Sequence, residues 1–165
     1  MDPNIDQENT VDPSYGDGRP VRVNQCRVAF DVGTVRVGVA TCDFDAIMAS
    51  PQNTIPGGAV SIEAALSVLA EYDPCEVLIG LPSNLKGRDT ASTEYAREWA
   101  RQLKESTRIP IILIDERLTT VQAAGALRAS GHNSKQMRSK VDSAAAAIFL
   151  QAYLDGLATR KGANQ

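Results

Sequence analysis

The chain has 165 residues, with 20 Asp and Glu against 17 Lys and Arg, 43% hydrophobic residues and three cysteines. That is one domain's worth of chain, apolar enough to fold without a structural metal; Cys26, Cys42 and Cys75 form no CxxC pair and leave one over from any single bridge, which excludes a disulfide scaffold. No apolar run approaches the ~20 residues of a spanning helix, and the acidic first residues lack the basic and apolar parts of a signal peptide, so the expectation is a soluble, cytoplasmic protein without membrane contact.

Residues 1–20 carry Asp2, Asp6, Glu8, Asp12 and Asp17 against Arg19 alone, with three prolines. So few large apolar residues cannot offset the entropy of ordering, and the segment is predicted to be a disordered acidic tail. The rest of the chain holds 16 basic and 15 acidic residues, so the net charge of −3 does not argue against a polyanionic partner. A folded domain is expected over 21–158, with 159–165 flexible.

Val28–Val32 and Val35–Ala40 alternate in the manner of strands around Gly33-Thr34 and predict a hairpin. A third extended piece is expected over Ala46–Thr54, ended by Pro56-Gly57-Gly58. Ile62, Ala65, Leu66, Leu69 and Ala70 follow at helical spacing. Glu76–Gly80 is a buried-strand run leading into the loop LPSNLKGRD. A helix over Thr90–Ser106 puts Ala96, Trp99, Ala100 and Leu103 inward, and Ile111–Ile114 forms the next strand, ending in Asp115-Glu116. Thr119 and Gln122 make a capping box for a helix predicted to stop at Gly131, and a last helix is expected over Ser139–Leu157. Strands in meander, then strand and helix in alternation, predict an α/β domain: a five-stranded mixed sheet, three strands antiparallel and two added in parallel, flanked by helices. Such sheets carry their sites at the carboxyl ends of the parallel strands.

Three acidic positions bear on that groove. Asp31 lies inside VAFDVG, where an isolated ionised carboxylate is costly and needs a partner or a metal; it could also simply start the turn. Asp115-Glu116 emerges where a strand ends, as a strand-end loop would. Asp142 opens the apolar helix VDSAAAAIFLQAYL, on the face of Ala145, Ala146 and Phe149; a first-turn acid is also favourable in its own right. Together they would form a hard-oxygen cluster of the kind that takes Mg²⁺ or Mn²⁺. Between Glu116 and Asp142 stand Arg117, Arg128, Lys135, Arg138 and Lys140 with no acid among them, suited either to phosphate contacts or to a solvated face. The only histidine, His132, lies in this basic stretch, so a zinc site lacks ligands, and no GxSxG elbow supports a serine hydrolase. Tyr95, Trp99, Phe149 and Tyr153 occur at helical spacing and read as core. Cys26, just ahead of the first strand, is a candidate for an intermolecular bridge under oxidation.

With these positions placed, the chain resembles the YqgF family of RNase H-like nucleases, also called RuvX. The resemblance runs from about Arg27 to Gly156 and rests on four blocks: FDVGTVRVGVATCD, VLIGLPSNLKG, IDERLTTVQA and VDSAAAAIFLQAYL. It implies an RNase H-like fold, with Asp31, Glu116 and Asp142 as catalytic, metal-binding acids and Asp115 adjacent as a further candidate ligand. It also implies 5′-end processing of the 16S rRNA precursor in ribosome biogenesis, or, by kinship to RuvC resolvases, cleavage of branched DNA at Holliday junctions. The loop Pro82-Ser83-Asn84-Leu85-Lys86-Gly87 departs slightly from the family pattern and adds a cation. A nuclease of this kind would use Mg²⁺ or Mn²⁺ and bind phosphates through Arg117, Lys135, Arg138, Lys140, Lys86 and Arg88. Junction resolution would require a homodimer, because two coordinated cuts are needed. The reading outside this class is a non-catalytic nucleic-acid-binding module whose acids are structural.

Overall fold

The computed structural model describes residues 23–82, 88–115 and 134–163, with side chains from 143 onward in the last segment. The expected acidic tail, the helix from Thr119 to Gly131, and Lys86, Glu116, Arg117 and His132 lie outside the described residues.

Five strands form one sheet: β1 (Arg27–Val32), β2 (Arg36–Cys42), β3 (Ala49–Pro56), β4 (Glu76–Leu81) and β5 (Ile111–Asp115), in the order β3-β2-β1-β4-β5. β1 pairs antiparallel with β2, which pairs antiparallel with β3, whereas β4 joins the other side of β1 in parallel and β5 joins β4 in parallel. This is the mixed sheet expected from the alternation of elements. Helices α1 (Ser61–Tyr72) and α2 (Ala91–Ser106) cover one face, and α3 (Ser134–Ala163) covers the other.

Alternation along each strand divides the core in two. Val28, Phe30, Val32, Val37, Val39, Val77 and Ile79 pack under α1 and α2, together with Leu69, Trp99 and Leu103. The Trp99 ring meets Phe30 edge-on at 5.3 Å, and its indole N–H donates to Ser61 Oγ at 2.8 Å, so the one large polar aromatic is both buried and satisfied. The opposite core is thinner. Ala29, Ala40, Cys42 and Leu78 meet Ala146, Phe149, Leu150 and Leu154 of α3, and small residues on both sides let the helix lie close to the strands.

The boundaries differ from expectation in three places. The first turn spans Gly33, Thr34 and Val35, because Gly33 N–H donates to Arg36 O at 3.1 Å and leaves Val35 79% exposed; a Cβ on Gly33 would lie 2.6 Å from that oxygen. The third strand starts at Ala49 and not at Ala46: Asp43 Oδ1 accepts the amides of Ile47 and Met48 at 2.8 and 2.7 Å, and Ala46 takes a left-handed φ of 59°, so these residues make a tight loop. The last helix begins at Ser134 and continues to Ala163. No Gly or Pro interrupts the chain from Asn133 to Asp155, and Lys, Gln, Met and Arg propagate a helix well.

At the amino end of β1 and β4, Arg27 Nε donates to Glu76 Oε1 at 2.7 Å, Tyr153 OH donates to the same carboxylate, and the Arg27 guanidinium lies over the Tyr153 ring at 5.8 Å. Gln151 of α3 accepts from Ala49 N–H at 2.8 Å and donates to Ile47 O at 2.9 Å, holding the β2–β3 loop against the helix. Among the described residues no helix is long and apolar enough to cross a membrane.

Candidate nuclease site

The carboxyl ends of β1, β4 and β5 lie side by side, and Asp31 is the penultimate residue of β1. Alternation gives it the parity of Ala29, on the α3 face. Its antiparallel partner is Gly38 on β2. On the other side the parallel ladder with β4 ends at Phe30↔Ile79, so the next β4 residue is Gly80. Gly38 and Gly80 are both buried, so the two strand positions beside the half-buried Asp31 carry no side chain. The β2–β3 pairing is irregular opposite this point, with Val37 aligned to Ile55 and Val39 to Gln52; the extra β3 residue is a bulge of the kind found beside sites.

Helix α3 is fixed over the same place. Ser143 Oγ accepts the Val39 N–H, one residue from Gly38, at 3.3 Å, and both partners are buried. Asp142 lies in the helical backbone of α3 immediately before Ser143; its side chain is outside the described set. Ser143 was not a sequence candidate. The available signal was a hydroxyl interrupting an otherwise apolar alanine face, where a buried donor or acceptor must find a partner.

Asp115 ends β5, pairs with Leu81 and is exposed. By alternation it shares the parity of Ile111, which packs toward α1 and α2, whereas Ile114 packs toward α3. Asp31 and Asp115 therefore belong to opposite faces at the same edge. Among the described residues no group of three Asp, Glu, His or Cys gathers to hold a metal ion; Glu116 and the Asp142 side chain are not among them. Arg88 is exposed just before α2, and Lys135, Arg138 and Lys140 fall within the first turns of α3.

The exit of β4 is tied to α2. Thr90 caps the helix, accepting from Thr93 N–H in a reciprocal capping box, and the buried Thr93 hydroxyl also donates to Pro82 O. This bond is a second positioning contact that the sequence reading missed, although Thr90-x-x-Thr93 ahead of a helix was its signature. Val32, Gly33 and Thr34, with Ala91, Ser92 and Tyr95, line a cavity of about 430 Å³ beside this edge.

Comparison with known proteins agrees with this architecture. A protein of Clavibacter michiganensis subsp. michiganensis named "Putative pre-16S rRNA nuclease" is 45% identical over 132 residues, covering 78% of this chain and 82% of that protein. A protein of the same name from Streptomyces coelicolor is 43% identical over 150 residues, covering 89% of each chain. Among solved structures, Thermus thermophilus RuvC in complex with a Holliday junction substrate superposes with a TM-score of 0.52 at 15% identity, over 82% of this chain and 97% of that one, which establishes the RNase H-like fold. A family model described as RuvX: Holliday junction resolvase matches residues 25–156, from just before β1 into α3 and through all five strands, and the chain belongs to that family.

Proposed function

We propose that this protein is a metal-dependent endonuclease that hydrolyses phosphodiester bonds of structured nucleic acid, with the 16S rRNA precursor as its substrate in the cytoplasm. The observation that carries the reading is the setting of Asp31: a half-buried carboxylate at the carboxyl end of a central strand, flanked by two buried glycines, under the helix that carries Asp142. A carboxylate flanked by two glycines suits a hard cation, which needs oxygen ligands plus room for water and phosphate oxygens.

Asp31, Glu116 and Asp142 would hold Mg²⁺ or Mn²⁺, with Asp115 adjacent. One sequence relation supports this set: Asp142 precedes Ala145, Ala146 and Phe149 by three, four and seven residues, the spacing of one helix face. When bound, a pair of such ions activates a water and neutralises the leaving oxygen. The chain's own residues then orient and hold: the acids fix the site on two strands and a helix, and Arg117, Lys135, Arg138, Lys140, Lys86 and Arg88 bind the phosphates flanking the cut. The precursor-RNA substrate is supported by relatives that carry that name over 78–89% of this chain.

The description of the family model supports a second reading, cleavage of four-way DNA junctions, for which two coordinated cuts would require a homodimer. One assay separates the two: 16S precursor RNA and a four-way DNA junction offered side by side to the full chain with Mg²⁺, with Mn²⁺ and with chelator. Metal-dependent cutting of the RNA, lost in Asp31→Asn, is the expected result. Preferred cutting of the junction by a dimer supports the second reading. Cutting of neither, with no Mn²⁺ bound in calorimetry at millimolar metal, supports the non-catalytic binding module.

A further inference from the structure

The three cysteines converge at the amino end of the central strands, far along β1 from Asp31. Cys75 N–H donates to Cys26 O at 2.9 Å, just ahead of the first β1–β4 pair, Arg27↔Glu76. Arg27 and Glu76 meet on the α3 side, where Tyr153 joins them. Cys26 and Cys75 lie just outside the two strands, near enough that each thiol acts electrostatically on its surroundings: Cys75 on Cys26, and Cys26 on the phenol of Tyr72 in α1. A backbone bond of this kind holds two extended segments ~4.8 Å apart, inside the ~4.4–6.8 Å Cα range of a disulfide.

Cys42 is differently placed. It belongs to the core under α3, and its sulfur accepts Arg27 N–H at 3.1 Å; burial pushes its thiol up to about 11. Cys26 is only 8% exposed, which rules it out as the exposed intermolecular cysteine expected from its position, whereas Cys75 is half-buried.

We propose that Cys26 and Cys75 form an intramolecular redox couple that a peroxide closes to a disulfide, stapling β1 to β4. Cys75 is the point of entry because it is the more accessible. Its thiolate attacks a peroxide oxygen, giving a sulfenic acid and releasing an alcohol or water; the Cys26 thiolate then displaces hydroxide from the sulfenic sulfur, forming the S–S bond and, with a proton, water. Overall two thiols and one hydrogen peroxide give one disulfide and two waters, the two electrons passing from sulfur to peroxide. Burial holds both thiols above their ordinary range, most strongly through desolvation, so closure is a slow response to sustained oxidant and not a rapid signal.

The test uses the full chain, treated with hydrogen peroxide and quenched with an alkylating reagent. The expected product is a monomer lighter by about 2 Da before alkylation, with a proteolytic fragment pair joined through Cys26 and Cys75. Because the staple closes a loop of roughly 50 residues, Tm should rise on the order of 10 °C and return on treatment with dithiothreitol. Cys42→Ser should keep the link, and Cys26→Ser and Cys75→Ser should each lose it. A bridge to Cys42, a covalent dimer, over-oxidation of Cys75 without a bridge, or three thiols still alkylated after peroxide would each overturn the proposal. The fragment map of the parent chain decides the matter even if a serine variant fails to fold.

Discussion

The two ends of β1 and β4 make opposite use of buried charge. At the amino end Arg27 is closed in on every side: its guanidinium bonds Glu76 and the Gln25 carbonyl and lies over Tyr153, and Tyr153 in turn bonds Glu76. At the carboxyl end Asp31 stands between Gly38 and Gly80, the two adjacent strand positions that carry no side chain. Satisfied ion pairs lock an edge, and a carboxylate set among glycines keeps space for something from outside. The same strands thus present one end built for cohesion and one built for exchange, and helix α3 spans both.

That contrast can be broken from either side. The largest effect is expected at the open end. Asp31→Asn should lower metal-dependent cleavage on the order of 10³-fold while leaving Tm unchanged or higher if, as proposed, its charge serves to hold metal; cleavage kinetics and a melting curve on the same sample check both halves, and an equal loss of stability would make Asp31 structural. At the closed end Glu76→Ala should do the reverse. It leaves Arg27 buried without its partner and should cost about 3 kcal/mol in denaturant unfolding, with cleavage at 25 °C within about twofold of the parent's. Ser143→Ala sits between the two ends. It strands the buried Val39 amide and should cost about 2 kcal/mol, and because Ser143 adjoins Asp142 it should weaken Mn²⁺ binding as well, measured by calorimetry. The smallest effect belongs to Asp43, an exposed residue in the β2–β3 loop, where Asp43→Ala should cost about 1 kcal/mol. The Met48 and Ile47 amides hold the Asp43 carboxyl below its ordinary range, so its contribution is fully present above that range and is lost as pH falls through the lowered value. In acid, unfolding curves of parent and variant should converge.

Much of this was legible beforehand because strand and helix periods are local. The alternation of VAFDV and the run EVLIG announced β1 and β4, and Trp99 and Leu103 on one helical face announced the core they fill. What escaped depended on partners distant in the chain. The late start of β3 follows from Asp43 capturing two amides, and Ser143 matters only because Val39, 104 positions away, offers an N–H. The order β3-β2-β1-β4-β5 could not be read from periods at all, since both sides of β1 are apolar enough to take a neighbour. In the site, Asp31 was legible as a carboxylate in a strand that disfavours one, but the glycines on either side were not, because Gly38 and Gly80 become neighbours of Asp31 only through pairing. Cys26 was misread for the same reason: nothing in its own segment reveals that Cys75 lies beside it.

The embrace of the β2–β3 loop by Gln151 has a consequence for how the chain is made. Its bonds to Ile47 and Ala49 span 104 and 102 positions, so the alanine-lined side of the sheet stays uncovered until the chain has been made through α3. During synthesis the α1 and α2 side can close early while the other waits. The face that carries Asp31 is therefore the later of the two to be finished.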